Sequence, residues 1–208
     1  MTADESAGIT LRPQVRSPAR TKGARATRTT ELILQAAREV FRERGYAGAS
    51  IDAIAVAAGT SRASVYTYFR SKRDILITLG IANNERFQTL VGGFARLPIP
   101  LVHAQVADWA GDYLDFLDYD QSFTSVWHEA GGTDEMLRVE SMRQYSRAWR
   151  TLGEALARSS GRPAGELDGM LLVGAFERAW FFWRGMRVDT SRERLIDHLT
   201  RLVLAVAS

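Results

Sequence analysis

Along most of this chain, apolar positions recur at three- and four-residue spacing, the pattern of helices with one buried face. Ile33, Ala36, Ala37, Val40 and Phe41 form the stripe of a helix that starts at Thr29 or Thr30, runs to about Arg44 and is stopped by Gly45. Ile51, Ile54, Ala55 and Ala58 repeat the i, i+3, i+4, i+7 spacing over a shorter stretch. Ser50 precedes that stretch, where a hydroxyl accepts a bond from a free helical N–H. Gly59 follows it, where a left-handed residue ends a helix at little cost. Thr60 and Ser61 make a turn, with Ser61 placed to cap a third helix from Arg62 to about Phe69. In this third helix only Val65 and Phe69 can reach back to the preceding one. Arg62, Ser64, Tyr66, Thr67 and Tyr68 face outward or flank the contact.

The remaining pattern predicts longer helices. Ser71-Lys72-Arg73-Asp74 reads as a capping box that opens a helix to about Leu90 or Phe94. Gly92-Gly93 and Pro98-Ile99-Pro100 then interrupt the periodicity. No strand-like alternation follows, and helices are expected at about 102–119, 122–130, 134–159, 165–187 and 191–207. Gly131-Gly132, Gly161-Arg162-Pro163 and Val188-Asp189-Thr190 separate most of them, and Thr190 with Glu193 reads as a second capping box. Residues 1–28 lack apolar periodicity and are rich in Thr, Ala, Ser, Pro and Arg, which predicts a disordered basic arm. The expected organisation is therefore this arm, a helix-turn-helix domain over 29–73, and a helical domain over 74–208 for ligand binding and dimerisation. The fold class is all-α.

Two short helices across a glycine turn, the second with a polar face, form an arrangement that enters the major groove of DNA. The string G-T-S-R-A-S-V-Y-T-Y-F-R-S-K-R-D-I-L from Gly59 to Leu76 resembles the signature of the TetR family of bacterial transcription regulators. The match is close over Thr29 to Leu79. Ala63 stands where many members have glycine or proline, and Val65 where leucine is commoner. The resemblance implies a homodimer in which the helix opened by Lys72 links the reading head to the ligand domain. It also implies that the last two helices pair with their symmetry mates. Side-chain chemistry adds roles. The Arg62 fork suits guanine O6 and N7, and Ser64 and Thr67 suit a base edge or a thymine methyl. Tyr66, Tyr68 and Lys72 suit phosphates, and Ser50 combines capping with a phosphate contact.

Charge sharpens this division. The net charge of +3 hides a basic end: residues 1–73 carry 13 Lys/Arg against 6 Asp/Glu, and the rest carries 14 against 18. Only the N-terminal third is built to meet a polyanion. Six basic residues from Arg12 to Arg28 would let the arm lie along phosphates or enter a minor groove, or simply be solvated. With no cysteine there is no disulfide or thiolate site, in keeping with a cytoplasmic protein. No apolar run is long enough to span a membrane, and the N-terminus does not read as a secretory signal.

All five tryptophans fall in the second domain. Trp109, Tyr113 and Phe116 share a helix face, as do Met142, Tyr145 and Trp149. With Trp127 and Phe176 they either fill the core or line an apolar cavity; as a set they favour a hydrophobic or aromatic effector. Asp112 and Glu177 are the candidates to fix its polar group. Leu195, Leu199, Leu202 and Val206 form an apolar stripe, Gly174 leaves room for another helix, and Trp180 and Trp183 add apolar bulk. These are the expected dimer contacts. His103, His128 and His198 show no metal-ligand spacing, and no cofactor or metal is expected. The resulting reading is a ligand-responsive regulator, most often a repressor, that binds a palindromic double-stranded operator. An activator or a regulator that needs a co-repressor is the alternative, followed by a non-specific architectural binder. No nucleophile–base pair or phosphate loop supports an enzyme.

Overall fold

A computed structural model describes residues 23–119, 123–163 and 165–208. They form α-helices in the order α1 (Gly23–Gly48), α2 (Ile51–Ala57), α3 (Arg62–Tyr68), α4 (Lys72–Ala95), α5 (His103–Tyr119), α6 (Phe123–Thr133), α7 (Glu135–Ser160), α8 (Glu166–Trp180) and α9 (Arg192–Val206). A π-helical turn, Phe181–Gly185, extends α8. No strand is present among the described residues. The chain packs as two compact units that divide between Leu79 and Gly80. The division falls inside α4, past its first turn, because Ile75, Leu76 and Leu79 are buried in the first unit.

The first helix begins earlier than its apolar stripe. Residues 1–22 of the expected arm lie outside the described residues, but 23–28, expected to be disordered, are helical. The Thr27 and Thr30 hydroxyls donate to the carbonyls of Gly23 and Ala26, and Ala26 is buried. Gly45 breaks α1 as expected: its φ of 66° and ψ of 177° lie outside the helical region.

In the second unit, α4, α5, α7, α8 and α9 share one core. Phe94, Tyr113, Leu114, Leu152, Leu156, Phe176 and Val203 are almost fully buried in it. Helices α7 and α8 pack most closely, across glycine. A β-carbon on Gly169 would lie 1.9 Å from the Trp149 carbonyl oxygen, and one on Gly153 would lie 2.0 Å from that of Gly165. Gly174, expected to admit a helix at the dimer interface, has nothing within 4 Å of its β-carbon position in the single chain.

One expected boundary and two expected capping boxes differ, for identifiable reasons. Helix α6 runs through Gly131-Gly132, and α7 is capped by Asp134, whose carboxylate accepts from the N–H groups of Met136 and Leu137. The cap of α9 is Ser191, which accepts from Arg194 N, so Thr190 and Glu193 do not form the box. The box at α4 is half formed. Ser71 Oγ accepts from Asp74 N, but Asp74 accepts from the N–H of Arg70.

Candidate functional site

The reading pair is held by side-chain caps at both starts. Ser50 Oγ accepts from Ala53 N at 3.1 Å, and Ser61 Oγ from Ser64 N at 3.1 Å. Gly59, with φ 61°, takes the left-handed turn between them, and Val65, Phe69, Ile51, Ile54 and Ala55 bury the shared face. Capping and burial together fix which side of α3 is left to solvent. Arg62, Tyr66 and Thr67 are exposed, whereas Ser64 and Tyr68 are half-buried. Thr67 also donates to the Ala63 carbonyl, a bond its hydroxyl must share or release to read a base.

Arg62 is engaged before any DNA arrives. Its guanidinium donates to Asp52 at 3.0 Å and to the Tyr66 hydroxyl at 3.3 Å, and it lies 5.5 Å from the Tyr66 ring centre. The Tyr66 hydrogen bond and the Asp52 charge raise its pKa, so it is a permanent cation. Asp52, on the solvent side of α2, was not marked out by the sequence pattern. Only the fold shows that a residue ten positions away steers Arg62.

Lys72 departs from the expected role. Its ammonium donates to the carbonyls of Tyr46, Ala49 and Ala47 at 2.6, 3.0 and 3.3 Å, and it sits 4.6 Å from the Tyr46 ring centre. All three N–H bonds are thus spent on the stretch between the Gly45 break and α2. Lys72 ties this link to the start of α4, where a phosphate contact was expected.

The second unit contains a cleft of about 420 Å³ bounded by α6, α7 and α8, a size ordinary for a small-molecule site. Trp127, Met142, Tyr145, Trp149, Met170 and Val173 give it an apolar lining, with Glu177 and Arg138 as its charged members. A smaller space of about 30 Å³ adjoins it, lined by Asn83, Asn84 and Phe87 of α4, by Phe116, and by Gln144. Trp127, Tyr145 and Glu177 line both spaces. The Tyr145 hydroxyl donates to Glu177 Oε1 at 3.1 Å. Burial raises the Glu177 pKa to about 7, more than the Tyr145 hydrogen bond and the Arg178 charge lower it.

Of the eight aromatic and methionine residues expected at the ligand, Phe116, Trp127, Met142, Tyr145 and Trp149 line these spaces. Trp109, Tyr113 and Phe176 do not; they are core. The Trp109 indole donates to the Leu90 carbonyl, and Tyr113 and Phe176 lie 4.7 Å apart by ring centre. Helical spacing cannot separate such positions, because a core face and a cavity face share the same period. Asp112 is exposed and lies away from the cleft. The side chain of His128 lies outside the described residues.

The expected dimer contacts also divide. Leu199 is buried in its own core, and Leu195 and Val206 pack against it. Trp180 donates to Asp118 at 2.9 Å, and Trp183 to the Thr190 carbonyl at 2.9 Å. Leu202 remains exposed, as do Leu167, Leu171, Phe181 and Phe182. No described helix is long and apolar enough to cross a membrane.

A capped helix-turn-helix followed by a second α-helical unit defines a class of helix-turn-helix DNA-binding protein. Residues 33–79 match the profile described as bacterial regulatory proteins, tetR family. The chain thus carries a helix-turn-helix domain of that family's type. It is 39% identical over 88 residues to the HTH-type transcriptional repressor BepR of Brucella suis, covering 42% of this chain and 36% of BepR. It is 33% identical over 122 residues to the HTH-type transcriptional regulator UidR of Escherichia coli K12, covering 58% of this chain and 53% of UidR. The alignments thus span about half or less of these relatives' own length. The solved structure of the MbdR regulator from Azoarcus sp. CIB superimposes with a TM-score of 0.69 at 19% identity. It covers 85% of this chain and 97% of that one, a likeness of fold.

Proposed function

We propose that this protein is a cytoplasmic transcriptional repressor that binds a palindromic operator as a homodimer and is released by a hydrophobic or aromatic small molecule. The carrying observation is the exposed polar face of α3, held in position by caps and by Lys72 in a domain of the tetR type. Arg62, Ser64 and Thr67 read bases, while Tyr66, Tyr68 and Ser50 reach phosphates. To read a guanine, Arg62 exchanges its Asp52 carboxylate for the base, so that non-cognate DNA competes with an existing partner.

Dimerisation is supported by the apolar surface of α8 and its π-helical extension. Leu167 and Leu171 are 67% and 66% exposed, and Phe181, Phe182 and Leu202 exceed 40%. Leu167 and Leu171 lie one turn apart on α8 and the Phe181 and Phe182 ring centres 5.9 Å apart, and exposed apolar neighbours of this kind mark an association surface. One short reading helix also contacts few bases, and a two-fold dimer doubles them. Ligand release is supported by the cleft and by the smaller space against α4, the helix whose N-terminal end belongs to the reading unit. A ligand shifts the protein off DNA only as far as it prefers the unbound form.

The test is binding to the segment upstream of the protein's own gene at two salt concentrations, by native protein and Arg62→Ala. The expected result is salt-sensitive dimer binding. Arg62→Ala should reduce the preference for operator over scrambled DNA on the order of tenfold. An unchanged preference would show that α3 is not the reader.

A further inference from the structure

We propose that the cleft between α6, α7 and α8 takes a lipophilic cation, a flat apolar body with one positive centre seated against Glu177 beside Trp127 and Tyr145. This rests on the reading of the cleft as an effector site and specifies the effector's charge. Three observations meet at Glu177. First, it is the carboxylate shared by the 420 Å³ cleft and the smaller space. Second, among the described residues its only hydrogen bond comes from Tyr145, to Oε1, and Oε2 accepts none. Third, the surrounding walls are aromatic: Phe87, Phe116, Trp127, Tyr145 and Trp149. A cation gains from aromatic faces, more so as it is desolvated, and a hydrogen-bonded carboxylate partner offsets the cost of that desolvation.

The neighbouring charges leave the carboxylate to the ligand. On α8, Arg178 favours the ionised form of Glu177 but lies over the Phe181 and Phe182 rings, 5.4 and 5.8 Å from their centres. On α7, Tyr145 supplies its one bond. Arg138 lines the cleft but is held by the Glu135 carboxylate, which accepts from its Nε and Nη2. On α5 lies the Tyr113 phenol, whose pKa burial raises well above its usual value, with the charges of Glu177 and Tyr145 adding to the rise; it remains a neutral neighbour. The described lining from α4 and α6 is uncharged: Gly80, Asn83, Asn84, Phe87, Trp127, Gly131 and Gly132.

Glu177 titrates near neutrality, so the empty site holds a proton about half the time at pH 7. A bound cation takes the place of that proton. Affinity for a permanent cation therefore rises with pH and levels off above about 8. With a midpoint near 7 and a much lower one in the complex, the gain from pH 6 to pH 8 is about tenfold. A neutral ligand shows no such rise, and an anion shows the reverse.

Three probes of matched shape separate these cases: (1-naphthylmethyl)trimethylammonium, its uncharged carbon isostere 1-neopentylnaphthalene, and 1-naphthylacetate. The quaternary centre keeps its charge at every pH, so any pH dependence belongs to the protein. Calorimetry on the full chain at pH 6 and pH 8 should show the cation binding tightest and gaining about tenfold. Titration at pH 6.5 in two buffers of different ionisation heat should show release of about three quarters of a proton. Glu177→Gln should lose about tenfold or more for the cation at pH 8 and flatten the profile. It should hold the neutral isostere within about twofold, which confirms an intact cleft. Tyr145→Phe, by removing the bond that favours ionised Glu177, should move the midpoint upward. If the isostere or the naphthylacetate binds as well as the cation, the charge assignment is overturned while the cleft remains an effector site. If none of the three binds, the effector-site reading falls with it.

Discussion

Replacing Lys72 by methionine separates a brace from a phosphate ligand. Methionine keeps an apolar stem of nearly the same length and removes the ammonium. The native ammonium makes three bonds of 2.6–3.3 Å to carbonyls, two of them partly buried. Bonds with a charged donor contribute about 1.5–3 kcal/mol each when well sheltered. Here the exposed bond is discounted, and carbonyls that return to water recover part of the loss. About 2 kcal/mol remains, which for a chain of this size lowers Tm by about 4–8 °C. Circular dichroism during heating measures that shift, and operator binding across a salt series measures the charge count. The expected outcome is a lower Tm, with the slope of log affinity against log salt unchanged. A phosphate ligand behaves oppositely: Tm holds, while the slope falls by about 0.9 for the lost contact. That second pattern would refute the bracing argument.

Two further substitutions test the second unit. Gly169→Ala places a methyl group 1.9 Å from the Trp149 carbonyl oxygen, so α7 and α8 must part by about 1.5 Å to reach normal contact. Overpacking of that kind outweighs the gain of about 1 kcal/mol in helix propensity. Because the clash is with backbone, the cost lies at the upper end of the usual range, about 3 kcal/mol, and urea unfolding should show a net loss of roughly 2 kcal/mol, whereas Gly174→Ala, which meets nothing within 4 Å in the single chain, should be neutral or slightly stabilising. Leu171→Glu puts a charge on an exposed apolar face. Sedimentation should show a monomer with a native far-ultraviolet spectrum and operator affinity reduced on the order of a hundredfold.

The reading head was largely legible because its determinants are local. A hydroxyl just before an apolar repeat and a glycine just after one act over three or four residues, and Ser50, Gly59 and Ser61 do what their positions imply. The failures at Thr190 and at Gly131-Gly132 are also local. Two adjacent residues, Thr190 and Ser191, could each cap α9, and the one whose hydroxyl meets the third N–H prevailed. The glycine pair carried no stop because Asp134, two residues further on, supplies the real cap.

Sequence alone determined the helical class, the capped reading pair and the side of α3 that remains polar, since each follows from periodicity and capping. Only the tertiary structure decided how apolar and charged groups are used. It sent Trp109, Tyr113 and Phe176 to the core and Trp127, Tyr145 and Trp149 to the cleft, and it buried Leu199 while leaving Leu171 exposed. It turned Lys72 toward backbone carbonyls 23 to 26 residues earlier. It also set Arg62 against Asp52 and placed Glu177 among aromatic rings. The physical reason is common to all of these. A helical repeat says that a face is buried, but the surface that covers it comes from distant parts of the chain. Whether a charge meets a carbonyl, a carboxylate or a cavity is settled only when those parts pack together.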